Sequence, residues 1–386
     1  MEPLNQEINN SYSYSPLDRV IWDTSSSKAV LSEVGRLNYN KVFIVCSSSL
    51  KKNTDEIEKV SNVLGSKLVG VFSKCLEHSP IDNVIECAQE VRSMNPDIIL
   101  TIGGGTPIDT VKVVQLCHSL NINSEEELKK IANKFQNKNS KIRQIAIPTT
   151  LSGGEYSNMG GALDTKKQLK ERYLGKDLCP KVVILDPEIT LHTPDWLWLS
   201  TAIRSVDHAI EGLCSSSTNP LIYPMALHSL GEFAASLRGT FKDRNDLESR
   251  SRAQKAVWMI AKNLGNVSMG ASHGLGYLLG SICSIPHGYT SCVLLPAVLK
   301  WNESENLEKQ DLISKALGKP DLSASQAVAE LISDLELPKN LGEVGVLEEH
   351  WQKIAEYGLK HPTVLSNPKP IKSEQDILEI LELASY

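Results

Sequence analysis

The feature that most constrains the fold is an alternation of short apolar runs with amphipathic segments in the first half of the chain. Five runs rich in β-branched residues are predicted to be buried strands: KVFIVCS (41–47), LVGVF (68–72), DIILTI (97–102), RQIAIP (143–148) and KVVILD (181–186). Segments with helical periodicity, such as IDNVIECAQEVRSM (81–94), separate them. Strands that alternate with helices form a parallel sheet covered on both faces, so we predict an α/β domain.

The strand pattern stops after residue 186, and the rest of the chain has the apolar spacing of helices. Examples are YPMALHSLGEFAASL (223–237), RSRAQKAVWMIAKNLG (250–265) and ASQAVAELISDLEL (324–337). We therefore predict two domains, an α/β domain over 1–195 and an all-helical domain over 196–386. Within the first, we expect a hairpin that turns at DTKKQ (164–168) and a solvated, lysine-rich helix over 121–141.

Composition excludes several classes of partner. The chain has 386 residues, is 22% charged and carries a formal net charge of −6, so it has no basic footprint for nucleic acid and no polybasic cluster for a membrane surface. A small-molecule substrate is expected instead. Residues 1–18 are interpreted as a polar arm without signal-peptide character, and the eight cysteines lack CxxC spacing, so we expect reduced thiols and a cytoplasmic location.

Three loops of small polar residues follow predicted strands: CSSS (46–49), GGGTPID (103–109) and TTLSGGE (149–155). In open α/β sheets, ligands bind at the carboxyl ends of the strands. There, glycines let the backbone approach a phosphate, and a helix N-terminus offers free N–H groups. We predict a dinucleotide site formed by Ser47, Gly103, Gly104, Gly105, Thr106, Asp109, Thr149, Thr150 and Ser152. For Asp109 and the threonines, capping of the first helical turn is the alternative.

The residue after the first of these strands bears on cofactor preference. An acidic side chain at this position accepts hydrogen bonds from the adenine ribose and repels a 2′-phosphate. Ser47 is neutral, so we expect the site to tolerate NADPH as well as NADH.

Three histidines of the helical half differ from ordinary helical histidines. They are His208 in RSVDHAIEG, His273 in GASHGLG and His287 in SIPHGYTS. Pro286 is expected to break the helix, so that His287 turns toward the cleft between the two halves. Three imidazoles could form an open zinc or iron site. The other helical histidines are interpreted as ordinary core or surface residues: His228, His350 and His361.

The motifs GGGTPID, IPTTLSGGE, HAIEG, SHGLG and IPHG occur here in one order. Through them, the chain from about Arg19 to Asn302 resembles the iron-containing alcohol dehydrogenase family. The stretches TTLSGGEYS, LEHSP and NPLIYPMALHSL are most similar to its maleylacetate reductase branch. The resemblance implies a dehydroquinate synthase-like fold, in which an α/β dinucleotide-binding domain precedes an all-α domain and catalysis takes place between them. It also implies NAD(P)H as the cofactor and a homodimer.

The resemblance also shows one departure, at residue 204. In metal-dependent members an aspartate and three histidines hold the ion; the histidines correspond to His208, His273 and His287, but the aspartate position is Arg204. Asp207 lies about 100° further round a helix from His208 and is not expected to take that place. A unit charge ~5 Å from a divalent ion, at an effective dielectric of ~20, costs roughly 7 kcal/mol. We therefore predict no tightly bound metal; if an ion were bound, the three histidines would be its ligands.

These observations predict a metal-independent, NAD(P)H-dependent reductase of a keto-acid or of an activated C=C bond in a carboxylate. Reduction of maleylacetate is the example that the resemblance implies. The nicotinamide supplies the hydride, and Arg204 takes over the charge of the metal by binding a carboxylate or holding an enolate. His208, His273 or His287 then delivers the proton. An anionic substrate fits this site best.

Three alternatives stay open at this point. Arg204 could form only a structural salt bridge to Asp207 or Glu211. The protein could be a zinc- or iron-dependent alcohol dehydrogenase in which Arg204 is turned aside. It could also be a non-redox, lyase-type biosynthetic enzyme or a cofactor-binding pseudoenzyme on the same scaffold.

Overall fold

A computed structural model describes residues 11–167 and 169–386. Strands and helices alternate as far as residue 185, in the order β1 (Arg19–Trp22), α1 (Ser26–Arg36), β2 (Val42–Cys46), α2 (Ser48–Asn53), α3 (Glu56–Leu64), β3 (Leu68–Phe72), α4 (Ile81–Met94), β4 (Ile98–Gly103), α5 (Gly105–Leu120), α6 (Glu125–Lys129), β5 (Phe135–Gln136), β6 (Arg143–Pro148), β7 (Met159–Asp164), β8 (Leu169–Gly175) and β9 (Val182–Leu185).

The main sheet has six strands in the order β1-β9-β6-β4-β2-β3, and every pairing in it is parallel. The five strands predicted from sequence are β2, β3, β4, β6 and β9, and the predicted parallel sheet is confirmed. Every residue of β2, β4 and β9 is buried, which explains their continuous apolar sequences. The edge strand β1 was not predicted, because two of its four residues are exposed, two are only partly buried, and they follow no clear pattern.

A second, small sheet has the order β5-β8-β7 and lies beside α5. Its β7 and β8 are antiparallel and pair Asp164 with Leu169, which confirms the predicted hairpin; Gln168 of the predicted turn lies outside the described residues. The predicted lysine-rich helix over 121–141 is wrong for most of its length. The only helix there is α6, and β5 lies in the same segment, because Asn121 and Asn133 adopt left-handed backbone conformations that interrupt a helix (φ 56° and 58°).

The second half is helical throughout the described residues, as predicted. It comprises α7 (Asp195–Cys214), α8 (Ile222–Lys242), α9 (Leu247–Ala261), α10 (Ala271–Cys283), α11 (His287–Ala316), α12 (Ala324–Asp334), α13 (Trp351–Gly358), α14 (Pro362–Leu365) and α15 (Glu374–Leu383). Helix α7 packs against α8, α9, α10 and α11, and all its residues from Trp198 to Cys214 are buried. The division into two domains at residue 195 stays a prediction. One apolar cluster includes residues from both sides of that position, because it contains Val183 and Leu185 of β9 together with Trp198 of α7.

Other expectations concern the chain ends, the cysteines and membranes. Residues 1–10 of the predicted polar arm lie outside the described residues, whereas Tyr12 donates a hydrogen bond to Asn263 Oδ1 (2.8 Å) and so ties the arm to the helical half. All eight cysteines are described and carry free thiols, and six of them are buried. Within 11–167 and 169–386, we find no helix with both the length and the apolar character needed to span a bilayer.

Candidate active site

The three predicted nucleotide-binding loops meet at the carboxyl edge of the main sheet. A Cβ placed on Gly103 would lie 3.4 Å from Ser47 Cβ, and one on Gly104 would lie 2.8 Å from Thr150 Cγ2. Likewise, a Cβ on Gly105 would lie 3.5 Å from Ser152 Oγ. Glycine is therefore needed at 104 for the loops to approach each other this closely.

The start of α5 is open to a ligand. Gly104 precedes the helix and has no side chain that could cap it, and Gly103 adopts φ +150°, a conformation that favours glycine. Among the described residues, no side chain caps the first turn, so its N–H groups can receive an anion. The capping alternative for Thr106 and Asp109 therefore finds no support at α5. This uncapped helix start, with free N–H groups, fits a dinucleotide phosphate.

The remaining predicted cofactor residues lie around this helix start. The Thr106 carbonyl accepts a hydrogen bond from Ser79 Oγ (3.1 Å). Asp109 Oδ2 lies 3.5 Å from Lys170 Nζ of β8, so the hairpin contributes a cation to the same edge. Thr149 N–H donates to the Gly103 carbonyl (3.0 Å), which joins the ends of β6 and β4. The structure thus brings the predicted residues together, while their role in cofactor binding stays a prediction.

The helical wall of the cleft is built from one polar face of α7. Arg204, Asp207, His208 and Glu211 follow the three- and four-residue spacing that places side chains on one helical face, and all four are buried. Burial of so many polar groups is costly unless each finds a partner, so their contacts determine how the site works.

The Arg204 guanidinium is buried rather than turned out to solvent, with 3% of the residue surface exposed. Its Nη1 donates to Ser291 Oγ of α11 (3.0 Å) and lies 3.7 Å from Asp207 Oδ2. The salt-bridge alternative of the sequence analysis is thus geometrically present with Asp207. The 3.7 Å separation exceeds a hydrogen bond, so this ion pair does not occupy the guanidinium donors.

Glu211 holds the N-terminus of α10. Its carboxylate accepts hydrogen bonds from the Gly270 N–H (2.7 Å) and the Ser272 N–H (2.8 Å), and its Oε2 lies 2.7 Å from His273 Nδ1. A carboxylate at a helix N-terminus also interacts favourably with the helix dipole. Glu211 therefore fixes both the start of α10 and the ring of His273.

Asp207 also belongs to this network, but as a hydrogen-bond acceptor and not in the position that Arg204 occupies. Its Oδ2 accepts hydrogen bonds from Ser291 Oγ (2.6 Å) and Ser272 Oγ (2.7 Å) and lies 3.4 Å from His273 Nδ1. Burial alone would raise the pKa of Asp207, but the His273 ring, the Arg204 cation and Ser291 outweigh it and lower the pKa to about 2. Asp207 is therefore a carboxylate at neutral pH.

The three predicted histidines differ in charge. Burial and the Arg204 cation act to lower the pKa of His273, but Asp207 and Glu211 outweigh them and its pKa is raised. Burial, His273 and Arg204 lower the pKa of His208 well below its ordinary value. The pKa of His287 is lowered as well, because nearby protein displaces part of the water around its ring and the Arg204 cation repels the protonated form, while the rest of the side chain stays exposed. Only His273 is thus held toward the protonated form.

The histidines also differ in place. The rings of His208 and His273 stack with centroids 4.8 Å apart. His287 is the first residue of α11, directly after Pro286, so the predicted helix break is confirmed. Its ring stacks not on the other two histidines but on Tyr277 of α10 (5.2 Å). His361, interpreted above as an ordinary histidine, lies on the same Tyr277 ring (5.9 Å).

The sequence missed the partners of the histidines. Asp207 and Glu211 contact His273, and Tyr277 stacks on His287. Ser291, which joins Arg204 to Asp207, was missed as well. The available signal was the spacing from Arg204 through Asp207 to Glu211 along one helix face. Nothing in the sequence indicated that the α10 N-terminus packs on that face.

The residues present do not fit the metal site that the resemblance implies. The buried guanidinium stands at the aspartate position, and its charge acts on all three histidines. Asp207, Glu211 and His273 have ligand atoms within 4.8 Å of one another, but the two carboxylates already accept hydrogen bonds from hydroxyl and N–H groups. They are the counter-charges of Arg204 and His273, not an open ligand set.

Known proteins are similar to this chain along its length. Residues 18–187 match the family model "Iron-containing alcohol dehydrogenase", and residues 199–385 match "Fe-containing alcohol dehydrogenase family, C-terminal". Dehydrogenase ALT3 of Alternaria alternata is 31% identical over 89% of this chain and 98% of its own. Maleylacetate reductase of Burkholderia cepacia is 28% identical over 96% of each chain. The crystal structure of maleylacetate reductase from Rhizobium sp. strain MTP-10005 has a TM-score of 0.83 and 25% identity, and covers 97% of this chain and 98% of its own.

Proposed function

Because the chain belongs to the iron-containing alcohol dehydrogenase family and is an oxidoreductase, we propose that it is a metal-independent, NAD(P)H-dependent reductase of anionic substrates. The substrate is a keto-acid or a carboxylate with an activated C=C bond. The similarity to maleylacetate reductases supports this substrate class.

The observation that carries the proposal is the buried Arg204 guanidinium. It makes one hydrogen bond among the described residues, to Ser291, and so keeps most of its N–H donors for another group. A planar guanidinium pairs best with a carboxylate or enolate, which it binds through two parallel hydrogen bonds. A neutral alcohol or aldehyde has no pair of anionic oxygens that could accept these two parallel hydrogen bonds.

The open start of α5 and the loops around it support a dinucleotide cofactor. Gly103, Gly104 and Gly105 would hold the phosphates against the helix N-terminus, and Thr149, Thr150 and Ser152 would line the crevice. Ser47 and Asp109 would contact the riboses. When bound, the reduced nicotinamide supplies the hydride.

The chain's own residues then bind and protonate the substrate. Arg204 orients the carboxylate and stabilises the negative charge that develops as the hydride arrives. The proton that completes the reduction comes from His273, which Asp207 and Glu211 hold toward the imidazolium form. Its Nε2 has no hydrogen-bond partner among the described residues. The neutral His208 and His287 shape the pocket.

The substitution Arg204→Asp tests this assignment. Loss of a buried, hydrogen-bonded charge pair costs about 2–5 kcal/mol, so we expect kcat/KM for oxo-acids to fall at least about 30-fold. Loss of the cation beside the histidines should also create affinity for zinc or iron. The measurements are stopped-flow oxidation of NADPH with a panel of oxo-acids, and elemental analysis of chelator-treated protein.

The matched control is Arg238→Asp, which makes the same change at a half-exposed arginine paired with Asp334 on the surface. NADPH binding, followed by fluorescence, shows that each variant is folded. One zinc or iron per chain in the unaltered protein, together with chelator-sensitive activity, would refute metal independence. Equal activity of the Arg204 variant and the control would refute the role of Arg204.

A further inference from the structure

The ring of Tyr277 lies at the centre of a stack that includes two candidate catalytic side chains. His287 packs on it with an interplanar angle of 25°, and His361 packs on it at 31°. The Arg204 guanidinium carbon lies 5.3 Å from the centroid of the same ring. One aromatic side chain thus contacts both the proposed carboxylate-binding group and a wall of the pocket.

The sequence before Tyr277 makes this arrangement possible. A Cβ on Gly274 would lie 2.7 Å from the backbone nitrogen of Val364, so only glycine lets α14, and His361 before it, pack on α10. A Cβ on Gly276 would lie 3.4 Å from Arg204 Nη1 and 2.9 Å from Thr290 Oγ1. The two glycines of HGLGY therefore open the space on either side of the tyrosine.

Neither Arg204 nor His287 is held firmly by hydrogen bonds. Arg204 has the single bond to Ser291, and the His287 ring forms none with the described residues. One hydrogen bond and the 3.7 Å ion pair with Asp207 do not fix the plane of the Arg204 guanidinium, and a ring without a polar partner can rotate about its side-chain bonds. Contact with the flat face of Tyr277 restricts both, because the ring attracts the cation and stacks on the imidazole.

We propose that Tyr277 is a positioning residue whose ring, rather than its hydroxyl, holds Arg204 and His287 in the orientation that receives the substrate carboxylate. The proposal rests on the proposed function for the identity of the ligand. The orientation of the two side chains can be tested without it.

The experiment compares Tyr277→Leu with Tyr277→Phe, which keeps the ring. We expect Tyr277→Leu to raise KM for oxo-acids about 30-fold, the size of one desolvated cation–π contact, with a smaller change in kcat. For Tyr277→Phe, we expect the KM for oxo-acids to stay within about twofold of the value for the unaltered protein, because the ring is kept. Tyr357→Leu is the matched control, because Tyr357 packs on Lys360 at the surface and should have no effect.

Crystal structures of the two Tyr277 variants provide the second readout. The guanidinium of Arg204 and the ring of His287 should shift in the leucine variant and stay in place in the phenylalanine variant. Unshifted side chains in Tyr277→Leu, or a KM defect in Tyr277→Phe equal to that in Tyr277→Leu, would overturn the proposal. If the unaltered protein reduces no oxo-acid, the proposed function fails, and the positions of the two side chains alone decide this inference.

Discussion

The contact between Glu211 and the start of α10 gives the sharpest stability prediction. In Glu211→Gln, one carboxylate oxygen becomes an NH2 group while the shape of the side chain is kept. The carboxylate uses Oε1 for the Ser272 N–H and Oε2 for the Gly270 N–H, the His273 N–H and His273 Nδ1. A glutamine has one acceptor oxygen, so at least one of these donors must face an N–H group.

The expected magnitude follows from the lost interactions. A hydrogen bond to a charged acceptor contributes about 1.5–3 kcal/mol, and a buried donor left without a partner costs about 1–3 kcal/mol. Because part of each cost is relieved by small shifts of α10, we expect Glu211→Gln to lower the free energy of unfolding by about 3 kcal/mol. The first turn of α10 should also lose protection against amide exchange.

The assay is urea unfolding followed by tryptophan fluorescence, together with amide hydrogen exchange of residues 271–276. The control is Glu232→Gln, which removes a carboxylate from a partly exposed pair with Arg252 (2.8 Å) and should change stability by about 0–1 kcal/mol. If both variants shift the urea midpoint equally and α10 keeps its protection, Glu211 does not anchor this helix and the argument is wrong.

Two further predictions concern acid stability and the cofactor. The pKa of Asp207 is lowered to about 2 in the folded protein and is about 4 in the unfolded chain. The stabilisation that Asp207 gives is therefore complete above pH 4 and is lost as the pH falls toward 2. Urea unfolding between pH 4 and pH 2 should show a loss of about 2 kcal/mol in the free energy of unfolding, and Asp207→Asn should lack this loss. Gly104→Ala should weaken NADPH binding at least about tenfold in fluorescence titrations, because its Cβ would lie 2.8 Å from Thr150 Cγ2 and push the loops apart. The first prediction is wrong if Asp207→Asn loses as much stability between pH 4 and pH 2 as the unaltered protein. The second is wrong if Gly104→Ala binds NADPH with an unchanged Kd.

Burial explains why several of the strands were predictable. The runs that became β2, β4 and β9 are buried on both faces, so their sequences are continuously apolar and could hardly form anything else. The edge strand β1 and the two-residue β5 depend on neighbours far away in the chain, which no local pattern records. In the segment after α5, helix-favouring glutamates and lysines suggested one long helix, but asparagines in left-handed conformations at 121 and 133 interrupt it.

The candidate site was predictable to the extent that it lies on single elements. The common face of Arg204 and His208 follows from helical spacing, and the convergence of the glycine-rich loops follows from a parallel sheet. The partners Glu211 and Tyr277 depend on how α10 packs on α7 and α14, which is tertiary information. Helical spacing places Asp207 near Arg204, but the contact of Asp207 with His273 depends on the packing of α10 against α7 and so could not be predicted from the sequence.

The arginine at position 204 is compatible with a buried site because its counter-charge lies one turn away. A buried guanidinium without a partner would cost several kcal/mol, but Asp207 at i+3 and the Ser291 hydroxyl between them supply an ion pair and a hydrogen bond. Replacement of Arg204 by aspartate would leave two carboxylates near His273 and add a third. That surplus of negative charge needs a cation, and so the substitution that removes carboxylate binding is the same one that should restore a place for a metal ion.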